Sequence, residues 1–411
     1  MNKRDMQDII ERAKRAREKK ASLGDDINLE RYNTAGSEHD ALKSLAEVPQ
    51  EHKQSLLRAG IEPSESGRSG SFLLQDRSVV FSRVKSPGLE LMSTTEALKR
   101  YEWLAADYLW KAIPVDMDKY TADVELDETN GYFIRAKANS KVTIPVQACL
   151  FITTDKTGQK VHNIIIAEEN SELHIITGCS VAHAVQSALH LGVSEFYVKR
   201  GAKITFTMIH NWSGGVEVRP RTAVVIEDDG TFISNYILMT PVKSLQTYPT
   251  AYCEGKNARA NFQSIIYASG NARIDMGSRA VLKGERSRAE IISRVLATDN
   301  AEVIARGEVI GEGANASGHI ECRGLMLSDN AAITSIPELK AVRKDLDLSH
   351  EAAVGKIAEE AILYLMARGL SEEEATSVII RGFLNVDITG LPEALARETK
   401  QMLDMSLEKV M

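Results

Sequence analysis

Residues 300–331 read NAEVIARGEVIGEGANASGHIECRGLMLSDNA. Asn-Ala pairs at 300, 315 and 330 punctuate two short runs. Within the first run Val303, Ala305, Gly307 and Val309 fall on one face of an extended chain, and Glu302, Ile304, Arg306 and Glu308 fall on the other. Asn tolerates the left-handed backbone of a sharp corner, and the small Ala after it lets neighbouring corners approach closely.

The same pair occurs upstream at 257 and 271, so the steps along the chain are 14, 29, 15 and 15. The long step hides one more turn, at Arg286-Ser287 in KGERSR. Further back, turns at Asn170-Ser171, Arg200-Gly201 and Asp229-Gly230 precede Asn257 by steps of 30, 29 and 28. A unit of about 29 residues with two corners predicts a mainly β fold, a parallel β-helix of flattened section. Roughly 220 residues give seven or eight coils, about 35 Å of rod. A β-sandwich also turns often, but has no reason to repeat one corner pair at constant spacing.

Helical patterns flank the repeat. The expected division is a mixed helical region over 1–118, the rod over 119–340 and a helical domain over 341–411. Residues 1–22 read as a polar helix with eight Lys/Arg against four Asp/Glu between Asn2 and Lys20, either a solvated face or an arm for an acidic partner. Asp40–Ala59 has helical spacing broken by Pro49, Phe72–Val84 reads as strand, and Thr94–Ala112 as an amphipathic helix. A helix is predicted over His350–Ala367, stopped at Arg368-Gly369. Ser371 and Glu374 form a capping box for the next helix, which completes a helical hairpin, and Pro392–Val410 suggests another helix.

Composition narrows the function. The 411 residues carry 50 Lys+Arg against 57 Asp+Glu, a net charge of −7, which argues against a nucleic-acid binder. No apolar run is long enough to span a membrane, and the first residues lack the apolar core of a signal peptide. The four cysteines, Cys149, Cys179, Cys253 and Cys322, form no C-x-x-C pair, which fits a reducing cytoplasm. No phosphate-binding loop, H-E-x-x-H pair, Ser/His/Asp arrangement or coil-spaced carboxylate groove is present. The expectation is therefore not an enzyme and not an ATPase in its own right.

Cys322 shares a strand face with Ile320, Gly324 and Met326, where a cysteine is most often a small buried side chain. Cys149 and Cys179 are 30 residues apart, so they are expected to stack on neighbouring coils. Soft thiolates suit iron, zinc and sulfane sulfur, so aligned thiols inside a rod are either a sulfur site or an accident of spacing.

The stretches ECRGLMLSDNAA, LSHEAAVGKIAEEAILYLMARGLSEEEA and VIIRGFL, with VTIPVQ at 142–147, DKTGQ at 155–159, TGC at 177–179, HNW at 210–212 and VPQEHKQSLLRAGI at 48–61, resemble the SufB/SufD family of iron–sulfur cluster assembly proteins, and SufB more closely. The resemblance spans roughly residues 45–405. It implies a right-handed parallel β-helix between N- and C-terminal helical regions. It also implies a scaffold for a transient iron–sulfur cluster, served by a SufC-like ABC ATPase that docks on the C-terminal helices and alone handles ATP. By the same resemblance Cys322, His350 and Glu351 are the cluster ligands, Cys179 receives sulfur, and Trp212 with His210 lines its route. The family's Gln is His210 here, its tunnel Arg and Asn are Phe151 and Thr153, and its acidic residue before HEA is Ser349. The second subunit is either another copy of this chain or a SufD-like partner, joined through the β-helix. The rival expectation is a SufD-like adaptor that dimerises and holds the ATPase without a cluster.

Overall fold

The computed structural model describes residues 3–33, 37–127 and 130–384, and residues 141–355 wind into a parallel β-helix. One sheet stacks eight rungs that begin at Lys141, Glu172, Lys203, Thr231, Arg259, Arg288, Ser317 and Asp347. Neighbouring rungs pair in parallel, as in Arg288 with Ser317 and Cys322 with Ala352. The opposite sheet carries the return strands from Gly158–Ala167 to Ala332–Ala341. Two of its rungs split in half, at Arg219-Pro220 and at Tyr248-Pro249, because proline has no N–H to give the ladder.

The corners lie where the repeat places them. Asn139, Asn170, Gly201, Asp229, Asn257, Arg286 and Asn315 all take a positive φ, between 53° and 67°. The turn disguised in KGERSR is thus a true corner. Corner side chains bond up the rod: Asn257 Nδ2 donates to Asp229 Oδ1 at 2.8 Å, and Arg286 Nε to Asn257 Oδ1 at 3.0 Å. A further register, absent from the reading of the sequence, is a stack of Gly255, Gly284 and Gly313. A Cβ on Gly284 would lie 1.7 Å from the carbonyl oxygen of Gly255. Inside the rod Phe196, Phe206, Phe232 and Phe262 form a ladder of edge-on rings with centroids 4.8–6.0 Å apart.

The two ends differ. A hairpin of Gly70–Gln75 and Ser78–Val84 extends the first sheet beyond its first rung, while Leu89–Ser93 closes the second. The predicted strand 72–84 is thus two strands folded about Asp76, whose φ is 51°. At the far end Ala332–Ala341 and Asp347–Gly355 each have a rung on one side, and among the described residues no strand meets their outer edges.

Helices clad the rod: α1 (Lys3–Ala16), α2 (Gln50–Arg58), α3 (Thr94–Arg100), α4 (Glu102–Asp107), α5 (Lys119–Leu126), α6 (Glu359–Met366) and α7 (Glu372–Leu384). The expected 94–112 helix is the broken pair α3 and α4, and only 50–58 of the 40–59 pattern is α-helical. The α6–α7 hairpin has its expected capping box, with Glu374 N–H on Ser371 Oγ at 3.1 Å and Ser371 N–H on Glu374 Oε2 at 2.7 Å. Ile380 and Leu384 of α7 cluster with Ile209, Ile237, Ile265 and Leu296. The expected helix over Pro392–Val410 lies outside the described residues.

The largest correction concerns His350. Residues Asp347–Gly355 form the eighth rung, not the start of a helix, and α6 begins only at Glu359. The exposed ladder of Ser317–Met326 offers hydrogen bonds to the whole segment, which outweighs its helical periodicity.

Candidate functional site

Alternation along each strand decides which side chains enter the rod. On Glu172–Val181 the inward set includes Thr177 and Cys179; on Lys203–Asn211 it includes Met208 and His210. The Tyr132 hydroxyl reaches Thr177 Oγ1 across the interior at 3.2 Å. Cys179 pairs in register with His210, and its Sγ–H points to Met208 Sδ at 3.5 Å. The Tyr236 hydroxyl is 2.8 Å from His210 Nδ1. From the opposite sheet His190 sends Nδ1 to Gln159 Oε1 at 2.9 Å. The Trp212 ring lies between the two imidazoles, 5.3 Å from each centroid.

The groups of this interior cluster are buried, which favours their neutral forms. Burial pushes the Cys179 thiol and the Tyr236 phenol far above their ordinary values. It lowers His190 to about 4, and it holds His210 well below its ordinary value, with help from the charge of His190.

Cys149 does not belong to the cluster. The register pairs it with Gly178 and pairs Cys179 with Leu150, so the two thiols face opposite sides of the sheet. The expected stack fails by one residue: the two strands are offset by 31 residues at Val142 and by 29 from Val146 onward, and a spacing of 30 puts the thiols on opposite faces under either offset. Phe151, on the Cys149 side, packs against His52 of α2, and Thr153 bonds to the buried carboxylate of Asp76.

A second group lies at the open end. Cys322 faces inward on the seventh rung and is 5% exposed. Burial raises its thiol; the Ser335 hydroxyl and the charge of Arg294 oppose that rise, and Glu321 adds to it. His350 sits on the next rung opposite Ile320, on the inward face it shares with Cys322 and one side-chain step away. Glu351 pairs with Glu321 and faces outward, where Glu321 already binds Arg294 at 2.8 Å and Arg323 at 2.7 Å. The fold therefore brings Cys322 and His350 to one face and puts Glu351 on the other. His350 and Glu351 are exposed. Ser349 holds His319 Nδ1 at 2.9 Å. Among the described residues no three His, Cys, Asp or Glu side chains converge as a metal-ligand set.

Between the two groups runs an inward column, Thr177, Met208, Tyr236, Ser264, Ser293 and Cys322, each in register with the next. Ser264 Oγ donates to Ser293 Oγ at 3.1 Å. Cys179 and Cys322 are five rungs apart, about 24 Å at the usual strand spacing. Sequence reasoning missed His190, Gln159, Tyr236 and the two serines. The signal for the serines was available: 264, 293 and 322 follow the 29-residue step.

Comparison with known proteins gives the same direction. Residues 150–383 match the family model described as SUF system FeS cluster assembly, SufBD core domain. A protein of Methanothermobacter thermautotrophicus described as an iron-sulfur cluster assembly SufBD family protein is 52% identical over 408 residues, covering 98% of this chain and 99% of its own. Relatives so described in Archaeoglobus fulgidus and Staphylococcus epidermidis are 51% identical over 354 residues and 30% identical over 394. They cover 86% and 93% of this chain, and 95% and 83% of their own.

Proposed function

The chain belongs to the SufBD family of iron–sulfur cluster assembly proteins, and from that premise we propose that it is the scaffold on which a cluster is built as cargo. The observation that carries this reading is the inward thiol of Cys322 at the end where no described strand follows, on one interior column with Ser293, Ser264, Tyr236 and Met208, whose sulfur meets a second interior thiol, Cys179. Cys322 and His350 supply a soft and a borderline ligand from one face. A single chain leaves the ligand set incomplete, so a second copy or a SufD-like subunit completes it across the open end, where two strand edges await pairing. Glu351, turned outward in the lone chain, joins after rearrangement of this last rung. Sulfur enters at Cys179 and travels inside the rod past His210 and Trp212.

A SufC-like ABC ATPase docks on the C-terminal helices, whose Leu363, Tyr364 and Val378 are half-exposed. Nucleotide binding there biases the junction between a closed and an open arrangement. The protein works in the cytoplasm, and no described helix is long and apolar enough to cross a membrane.

Anaerobic reconstitution with ferrous iron and sulfide tests the scaffold. Wild type in complex with its ATPase partner should retain iron and sulfide, and Cys322→Ser should lose most of both. Equal iron in the two proteins refutes the assignment. One observation favours a second reading, the SufD-like adaptor: no ligand trio converges among the described residues. A complex purified under argon that binds its ATPase yet takes up no cluster would establish the adaptor.

A further inference from the structure

The interior chamber around Cys179 contains more acid–base chemistry than a passive conduit needs. His210 stands opposite Cys179 on the adjacent rung, and its Nδ1 is tied to the Tyr236 hydroxyl at 2.8 Å. The indole N–H of Trp212, 4% exposed, has no acceptor among the described residues. A buried donor without a partner is expensive in a folded chain. We infer that His210, positioned by Tyr236, is the proton acceptor that activates Cys179 toward a persulfide, and that Trp212 donates to the sulfur received. This rests on the proposed role of Cys179 as sulfur receiver.

The need for a base follows from the surroundings. Burial disfavours the thiolate, and it disfavours an imidazolium as much. Neither group ionises alone in this interior. A proton passed between neighbours creates both charges together, so the rod gains no net charge and each ion neutralises the other. When Nδ1–H donates to the Tyr236 oxygen, Nε2 is left with its lone pair free. His190 is the less suited imidazole, being on the opposite sheet, whereas His210 stands on the strand next to Cys179.

The step balances without an oxidant. The donor is a persulfide, R–S–SH. Cys179 Sγ–H gives its proton to His210 Nε2, and the thiolate attacks the outer sulfur of the donor. A bond from Sγ to that sulfur forms while the donor's S–S bond breaks. The leaving thiolate takes the proton back from His210. The products are RSH and Cys179–S–SH, and the terminal sulfur of the new persulfide accepts the Trp212 N–H.

The titratable groups around His210 from both sheets are Cys179, Tyr132, His190 and Tyr236. The test uses full-length protein under argon, mixed with inorganic polysulfide. Sulfur on Cys179 is followed by alkylation and mass spectrometry, and total sulfane sulfur by cyanolysis. His210→Gln should slow loading at least tenfold, with thermal unfolding and Cys322 alkylation unchanged. Tyr236→Phe should slow it severalfold and displace its pH profile, which a purely structural hydroxyl would leave in place. Wild-type loading rates in both variants, with Cys179→Ser still unable to load, overturn this inference alone. Wild-type sulfane uptake by Cys179→Ser overturns the receiving role on which it rests.

Discussion

Replacing Glu195 by glutamine should loosen one segment of the outer cladding while sparing the rod. The Glu195 carboxylate is fully buried on the outward face of Ala188–Val198. Its Oε2 accepts the Trp110 N–H at 2.7 Å and lies 2.9 Å from His162 Nε2. Its Oε1 accepts the N–H groups of Ala112 at 2.7 Å and Ile113 at 3.2 Å. The segment needs this help, because Trp110 is held at a φ of 56°, a region bulky side chains rarely occupy. A glutamine amide keeps one oxygen and turns the other into a donor. Whichever way it sits, two or more neighbouring groups lose an acceptor oxygen: the Trp110 N–H and His162 at Oε2, or the Ala112 and Ile113 N–H groups and the Tyr197 hydroxyl at Oε1. Taking about 1–2 kcal/mol, the lower part of the usual range, for each of two buried donors left unpaired, local opening becomes easier by roughly 2–4 kcal/mol. Hydrogen exchange at Trp110, Ala112 and Ile113 should then accelerate roughly thirty- to several-hundred-fold, at about tenfold per 1.4 kcal/mol. Glu195→Ala, which removes every acceptor, should exceed it. Exchange within twofold of wild type at these amides, or equal effects of Gln and Ala, would refute this account of the segment.

Two further outcomes follow from the rod itself. Gly284→Ala drives a methyl into the Gly255 carbonyl, so it should destabilise by about 3 kcal/mol or more, lowering the denaturant midpoint, whereas an exposed corner such as Gly270→Ala should be milder. Burial holds His190 neutral down to about pH 4, below its ordinary value of 6.5, so protons bind the unfolded chain first and stability should fall as pH drops from 6.5 toward 4; His190→Gln should flatten that part of a stability–pH curve.

The architecture was legible because a solenoid repeats its corner chemistry. Asn257 and Asn315 declared two corners outright, and even Arg286 held its place in the period. Residues 350–355 were misread as helix because, among the described residues, no strand covers this last rung, and its inward residues are mostly exposed and mixed in polarity. Their spacing therefore matched a helix until the neighbouring strand's ladder was known. The Cys149–Cys179 mismatch had a different cause. An offset of 29 instead of 30 reverses facing while changing the count too little to notice. The roles expected of Cys179 and Cys322 came only from family resemblance, whereas the His210–Tyr236 bond crosses between rungs and is 26 residues long in sequence, a distance no local pattern marks.

The glycine stack has an implication for how such a chain can change length. Gly255, Gly284 and Gly313 recur 29 residues apart, and each lets one coil sit directly on the next. Duplicating one whole unit would part the two interior thiols by about 4.8 Å more and leave both termini intact. Adding any other number of residues would break the glycine contact or turn inward side chains out. Growth of this molecule is therefore quantised, and the gap between its sulfur-bearing positions can be retuned only in whole steps.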